Sequence, residues 1–147
     1  MPTLTLHRLV AWQRAIDLTA AVHHVTASFT RGQRNGLVDQ LQRAALSVSC
    51  NIGEGYGRGT AADFGHFLSI ANGSLLEVET LLAVVRRLGF GNAEAVQGAI
   101  EAVDAVAGPL NGLRKRVCPH PAPRTLHPQS SGRARSAPAA SGTRPAQ

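Results

Sequence analysis

The sequence predicts an all-α protein, an antiparallel up-down-up-down four-helix bundle followed by a disordered C-terminal tail. Three observations carry that expectation. Apolar residues recur at intervals of three and four along four stretches, no stretch alternates in the manner of a strand, and the turns between them are short enough to make chain neighbours antiparallel. Residues 1–118 form the predicted bundle. Residues 119–147 are Pro, Ala, Ser, Arg and Gly with almost no large apolar residue, and cannot build a core of their own.

The first helix spans about residues 8–29 and carries two apolar lines. Leu9, Trp12, Ile16, Thr19 and His23 make one; Ala11, Ala15, Leu18, Val22, Val25 and Phe29 make another on a different side of the helix. One intramolecular core does not obviously satisfy both, so a second partner is expected. Before this helix, Leu4 and Leu6 are placed to pack on a neighbour. After it, the turn from Thr30 to Gly36 offers two glycines and Asn35 as a cap.

The second helix, Leu37 to Arg58, turns Leu37, Leu41, Ala44, Val48, Ile52 and Gly55 to the core. Gln40, Arg43, Ser47, Asn51, Glu54 and Arg58 form a polar stripe along one flank. Thr60 and Asp63 read as a capping box that starts the third helix near Ala61. That helix faces inward with Phe64, Leu68, Ala71, Leu75, Val78, Leu82 and Val85, and ends at Gly89-Phe90 in a Schellman motif. Asn92 caps the fourth, whose Val96, Ile100, Val103, Ala107, Leu110 and Leu113 continue the spacing to about Val117. Gly108-Pro109 is expected to kink it or to split off a short last helix.

Composition narrows the function. Hydrophobic residues make up 44% and aromatics 4%, so the core is expected to be aliphatic, with Trp12 as its one large aromatic anchor and four Phe in support. The formal charge of +6 divides unevenly: residues 1–118 hold eleven Lys and Arg against nine Asp and Glu, while the tail adds Arg124, Arg133, Arg135 and Arg144 and no acid. Cys50 and Cys118 lack close partners and are expected as free thiols. With no basic-then-apolar leader and no run of about 18 uninterrupted apolar residues, a cytoplasmic protein away from membranes is the expectation.

No catalytic constellation emerges. The glycines at 53, 55, 57 and 59 follow a helix rather than a strand and lack the Gly-Lys-Ser/Thr of a phosphate loop. The six histidines include no i, i+4 pair for zinc, and Ser74 lacks the glycine a nucleophile elbow needs. No metal or cofactor is called for. The informative polar set is Gln40, Arg43, Ser47, Asn51 and Glu54 with Glu77 and Glu79. If the second and third helices are antiparallel, Arg43 and Glu77 or Glu79 come to similar heights, where a semi-buried ion-pair and amide network would fix helix register.

The run Gln40-Leu41-Gln42-Arg43-Ala44-Ala45-Leu46-Ser47-Val48 with Asn51-Ile52-Gly53-Glu54-Gly55, then Phe67 to Thr80, Leu88-Gly89-Phe90 and Trp12-Gln13-Arg14-Ala15, resembles bacterial four-helix-bundle proteins encoded by intervening sequences of 23S ribosomal RNA genes. The resemblance covers about residues 8–117. Four features depart from the family's pattern: Gly53 in place of Ala, Gln42 in place of a second Arg, Cys50 in place of a small polar residue or Pro, and the basic tail. Gly53 would end the second helix a turn early. The resemblance implies a bundle that assembles into a five-fold ring without an established enzymatic activity. A similar fold occurs in the accessory protein of diversity-generating retroelements, which binds nucleic acid and a reverse transcriptase, so a nucleic-acid role carries over as analogy.

Two functions follow as expectations. In the first, a non-enzymatic homo-oligomer binds RNA or DNA through Arg31, Arg34, Arg58, Arg114, Lys115, Arg116 and the tail arginines. In the second, the assembly docks another protein and has no direct nucleic-acid role.

Overall fold

A computed structural model describes residues 6–34 and 36–118 of the chain. Its four α-helices are α1 (Val10–Ala27), α2 (Leu37–Gly57), α3 (Ala61–Leu88) and α4 (Ala93–Val117), with a 3-10 turn at Arg31–Gln33 between the first two. Helix α2 packs on α1 and α3, and α4 on α3 and α1, so each helix has two principal neighbours and the four close into an antiparallel up-down-up-down bundle. The predicted tail, with Arg124, Arg133, Arg135 and Arg144, lies outside the described residues, as do Leu4 and Asn35.

One aliphatic core joins all four helices. Leu18, Val22, Leu41, Ile52, Leu68, Leu82 and Leu110 are essentially sealed from solvent. On α1 the line from Ala11 to Phe29 is the buried one. The other line borders α2: Trp12 is half-buried, the Thr19 hydroxyl donates to the Ala45 carbonyl at 3.3 Å, and Ile16 stays 43% exposed. Leu6 is half-buried near Trp12 and Gly53.

The helix ends follow their local chemistry. Thr60 Oγ1 accepts from the Asp63 amide at 3.1 Å, and Asn92 Oδ1 accepts from the Ala95 amide at 2.9 Å. At the end of α3, Gly89 takes φ +66°, its amide donates to Arg86 and the Phe90 amide donates to Val85. These are the two bonds of a Schellman motif. Phe90 then meets Phe29 edge to face across the bundle end.

Two expectations fail. Helix α2 runs through Gly53 to Gly57 rather than ending early. Its last turns are held by buried Ile52 and Gly55 and by an ion pair between Arg58 and Glu54, which outweighs the cost of about 0.5–1 kcal/mol for one glycine. Helix α4 is likewise continuous through Pro109, so no separate short helix splits off after it. Proline removes the bond to the Ala105 carbonyl, but Ala105 is exposed where water can replace it, and buried Val106, Leu110 and Leu113 hold both sides of the lesion.

Helix α3 is long and apolar enough to cross a membrane by length and composition, with a mean hydropathy of 1.5 over 18 residues. Isolated polar residues interrupt it, which is why a search for unbroken apolar runs passes over it. Only 33% of that window is buried, so the bundle covers one side of α3 and leaves Ile70, Leu76, Val84 and Leu88 substantially exposed.

Candidate nucleic-acid interface

The polar flank of α2 meets α3 along the hairpin seam. Gln40 Nε2 donates to Glu77 Oε1 at 3.1 Å, and the Ser47 and Ser74 hydroxyls share a hydrogen bond of 2.9 Å. Asn51 Nδ2 reaches back to the Ser47 carbonyl at 2.7 Å and to its hydroxyl at 2.9 Å. Residues Ser47, Asn51 and Ser74 are half-buried, and their bonds lock the register of the two helices. Farther along, Glu54 pairs with Arg58, whose guanidinium lies 4.9 Å from the centroid of the Phe67 ring.

The predicted Arg43 ion pair with Glu77 or Glu79 does not form. Gln40 takes Glu77, while Arg43 and Glu79 are exposed and make no salt bridge among the described residues. The two described ion pairs, Arg14–Asp17 and Arg58–Glu54, each lie within one helix. The bonds that cross between the helices are therefore the neutral Ser47–Ser74 pair, steadied by Asn51 from within α2, and Gln40–Glu77 at the exposed rim, with no ion pair between the two helices among the described residues. Helical position explains the substitution: Arg43 sits one turn from Gln40 and toward solvent, so its long side chain gains more from hydration than from an exposed pair worth about 0–1 kcal/mol. Arg43 instead borders an open groove of ≈ 530 Å³ together with Asp39, Gln40, Ser47 and Glu77.

The basic candidates separate to opposite ends. Arg31 and Arg34 lie in the α1–α2 connection, near the end where α3 stops with Arg86 and Arg87 and where α4 begins. Arg58 closes α2, and Arg114, Lys115 and Arg116 occupy the last turn of α4, at the other end. The 25 residues of α4 span roughly 37 Å at about 1.5 Å each, so no single contact surface gathers all six.

The end that carries Arg114 to Arg116 also carries Arg8, just before α1, which the sequence expectation omitted. Arg8 and Arg116 line the same groove although 108 positions separate them in the chain. Only the return of α4 alongside α1 brings them together, and no local motif announces it. Asp63, the nearby acid on α3, is engaged with Thr60, and Glu54 with Arg58.

A family model for the 23S rRNA-intervening sequence protein matches residues 7–112, most of the chain and all of the bundle but its last turns. The chain belongs to that family. No individual curated protein matches it. The family's matched region includes the register lock of α2 and α3 and Arg8, and it ends just before Arg114, Lys115 and Arg116. In this member of the 23S rRNA-intervening sequence family the most basic turn of the bundle thus falls outside the matched segment.

Proposed function

We propose that this protein is a non-enzymatic homo-oligomer that binds RNA or DNA through its basic residues. One observation carries the nucleic-acid reading: Arg8, Arg114, Lys115 and Arg116 converge on one end of the bundle without an ion-pair partner among the described residues. The chain continues from that end into a segment with four more arginines and no acid. Such an excess attracts phosphates, and repetition around an assembly multiplies weak contacts into useful affinity.

Self-association is supported by two separate apolar sets. Ile70, Leu76, Val84 and Leu88 are exposed on α3, whereas Ile16 and Leu46 are exposed on the two helices joined by the Thr19–Ala45 bond. Two different surfaces of this kind suit head-to-tail contacts, which close into a ring when the rotation between successive copies completes a circle. The family resemblance supplies the expected five-fold number. A filter-binding titration against a structured RNA at two salt concentrations tests the nucleic-acid reading. Binding at low salt that falls steeply at high salt supports it; no binding at low salt overturns it.

The uncovered apolar side of α3 favours a second reading, a scaffold that docks another protein. Nucleic-acid binding that vanished on deletion of residues 119–147 would favour the scaffold, because the bundle would then hold no nucleic-acid site of its own.

A further inference from the structure

Arg8 and Arg116 face one groove of ≈ 470 Å³ where the start of α1 lies beside the end of α4. Between them the wall is apolar, built on half-buried Leu9 and buried Ala11 and Leu113, and Gly112 keeps it open. Among the described residues no carboxylate lines it. The free carbonyls at the end of α4 offset the charge of Arg116, but Arg8 belongs to a different segment and has no described acid to answer it. Two guanidinium groups across an apolar cleft repel each other until an anion enters. The cleft's ≈ 470 Å³ lies in the range of pockets that take small ligands, about 300–1,000 Å³, so it can hold a strand segment but not a whole duplex face.

We infer that this groove seats the phosphodiester backbone of single-stranded nucleic acid, with Arg8 and Arg116 as its paired phosphate ligands. The inference rests on the nucleic-acid reading above and narrows it to one end of the bundle. Guanidinium forks match phosphate oxygens, and the apolar floor accommodates the less polar sugar between them. Arg114 and Lys115 project from other faces of the same turn and add only general positive potential at this end, whereas Arg31 and Arg34 at the opposite end take no part. Among the described residues no aromatic side chain lines the groove for bases to stack on, so binding is driven by phosphate and has little sequence preference.

The test compares the full chain with the doubly substituted Arg8→Gln, Arg116→Gln protein and with an Arg31→Gln, Arg34→Gln control. Affinity for a labelled single-stranded RNA and for a duplex of the same sequence is followed against salt. All four arginines are exposed, and matched melting curves confirm that each variant is folded. The log–log salt slope for single strands becomes shallower by about 1.4 in the Arg8/Arg116 variant, from about 0.7 per lost phosphate contact, and stays unchanged in the control. An unchanged slope in the Arg8/Arg116 variant, an equal loss in the control, or tighter binding of the duplex overturns the inference while leaving nucleic-acid binding intact. No binding by the unsubstituted chain overturns both.

Discussion

Gly55 of α2 backs directly onto Phe67 of α3: a β-carbon at residue 55 would stand 2.6 Å from the Phe67 Cβ and 3.0 Å from the Phe64 Cδ2. The packing at this point leaves no room for a side chain on residue 55. Gly55→Ala is therefore expected to lower stability by about 1–3 kcal/mol despite alanine's better helix propensity, because the hairpin must open to admit it. Two residues earlier, a β-carbon on Gly53 would meet Trp12 Nε1 at 3.6 Å, an ordinary contact. Gly53→Ala is expected to raise stability by about 0.5–1 kcal/mol. Urea melts of the two variants check the pair, and the same sign for both would contradict the account.

The register lock makes a second contrast. Ser47 stands between Ser74 and Asn51, so Ser47→Ala removes one bond to each and is expected to cost about 1–3 kcal/mol through the half-buried partners it strands. Glu79 is exposed and makes no salt bridge among the described residues, and Glu79→Gln should change stability by less than about 0.5 kcal/mol. Thermal unfolding of both variants distinguishes this lock from one made of ion pairs.

Asn92 is the start signal of α4. Asn92→Ala should destabilise the bundle by about 1 kcal/mol, and Asn92→Asp should retain most of that, since a carboxylate accepts the same amide bond. Circular dichroism melts read the difference.

The exposed side of α3 predicts an assembly defect without a folding defect. Leu76 and Val84 are 54% and 40% exposed, so Leu76→Glu with Val84→Glu leaves the core untouched. The pair should shift sedimentation toward the monomer while helicity is preserved. A variant that still assembles would place the self-contact elsewhere.

Much of this fold is written locally. Thr60, Gly89-Phe90 and Asn92 each mark a helix end through bonds to residues three to five positions away, and all three are where the sequence places them. The core lines of α2 and α3 are equally legible, because one clear apolar face leaves no competing choice. Helix α1 is harder: both of its lines have helical spacing, and only packing against α2 shows that the Trp12–Ile16–Thr19 side borders a seam while the Ala11–Leu18–Val22 side is core.

Breakers mislead for the converse reason. Local cost argues that Gly53 and Pro109 end their helices, yet tertiary burial on both sides of each outweighs it. Heights along the α2–α3 hairpin are also readable, but the choice of Gln40 over Arg43 as the partner of Glu77 depends on rotation about the helix and on hydration. Arg8 escapes sequence reading altogether, since its significance arises from Arg116 across the closed bundle.

The most direct test of the central claim is sedimentation velocity of the full protein mixed with a labelled structured RNA at low and then high salt. The account predicts that the protein sediments as an oligomer, that the RNA travels with it at low salt, and that high salt releases the RNA while the oligomer persists. A protein that sediments as a monomer, with RNA moving at its own rate at low salt, would contradict it.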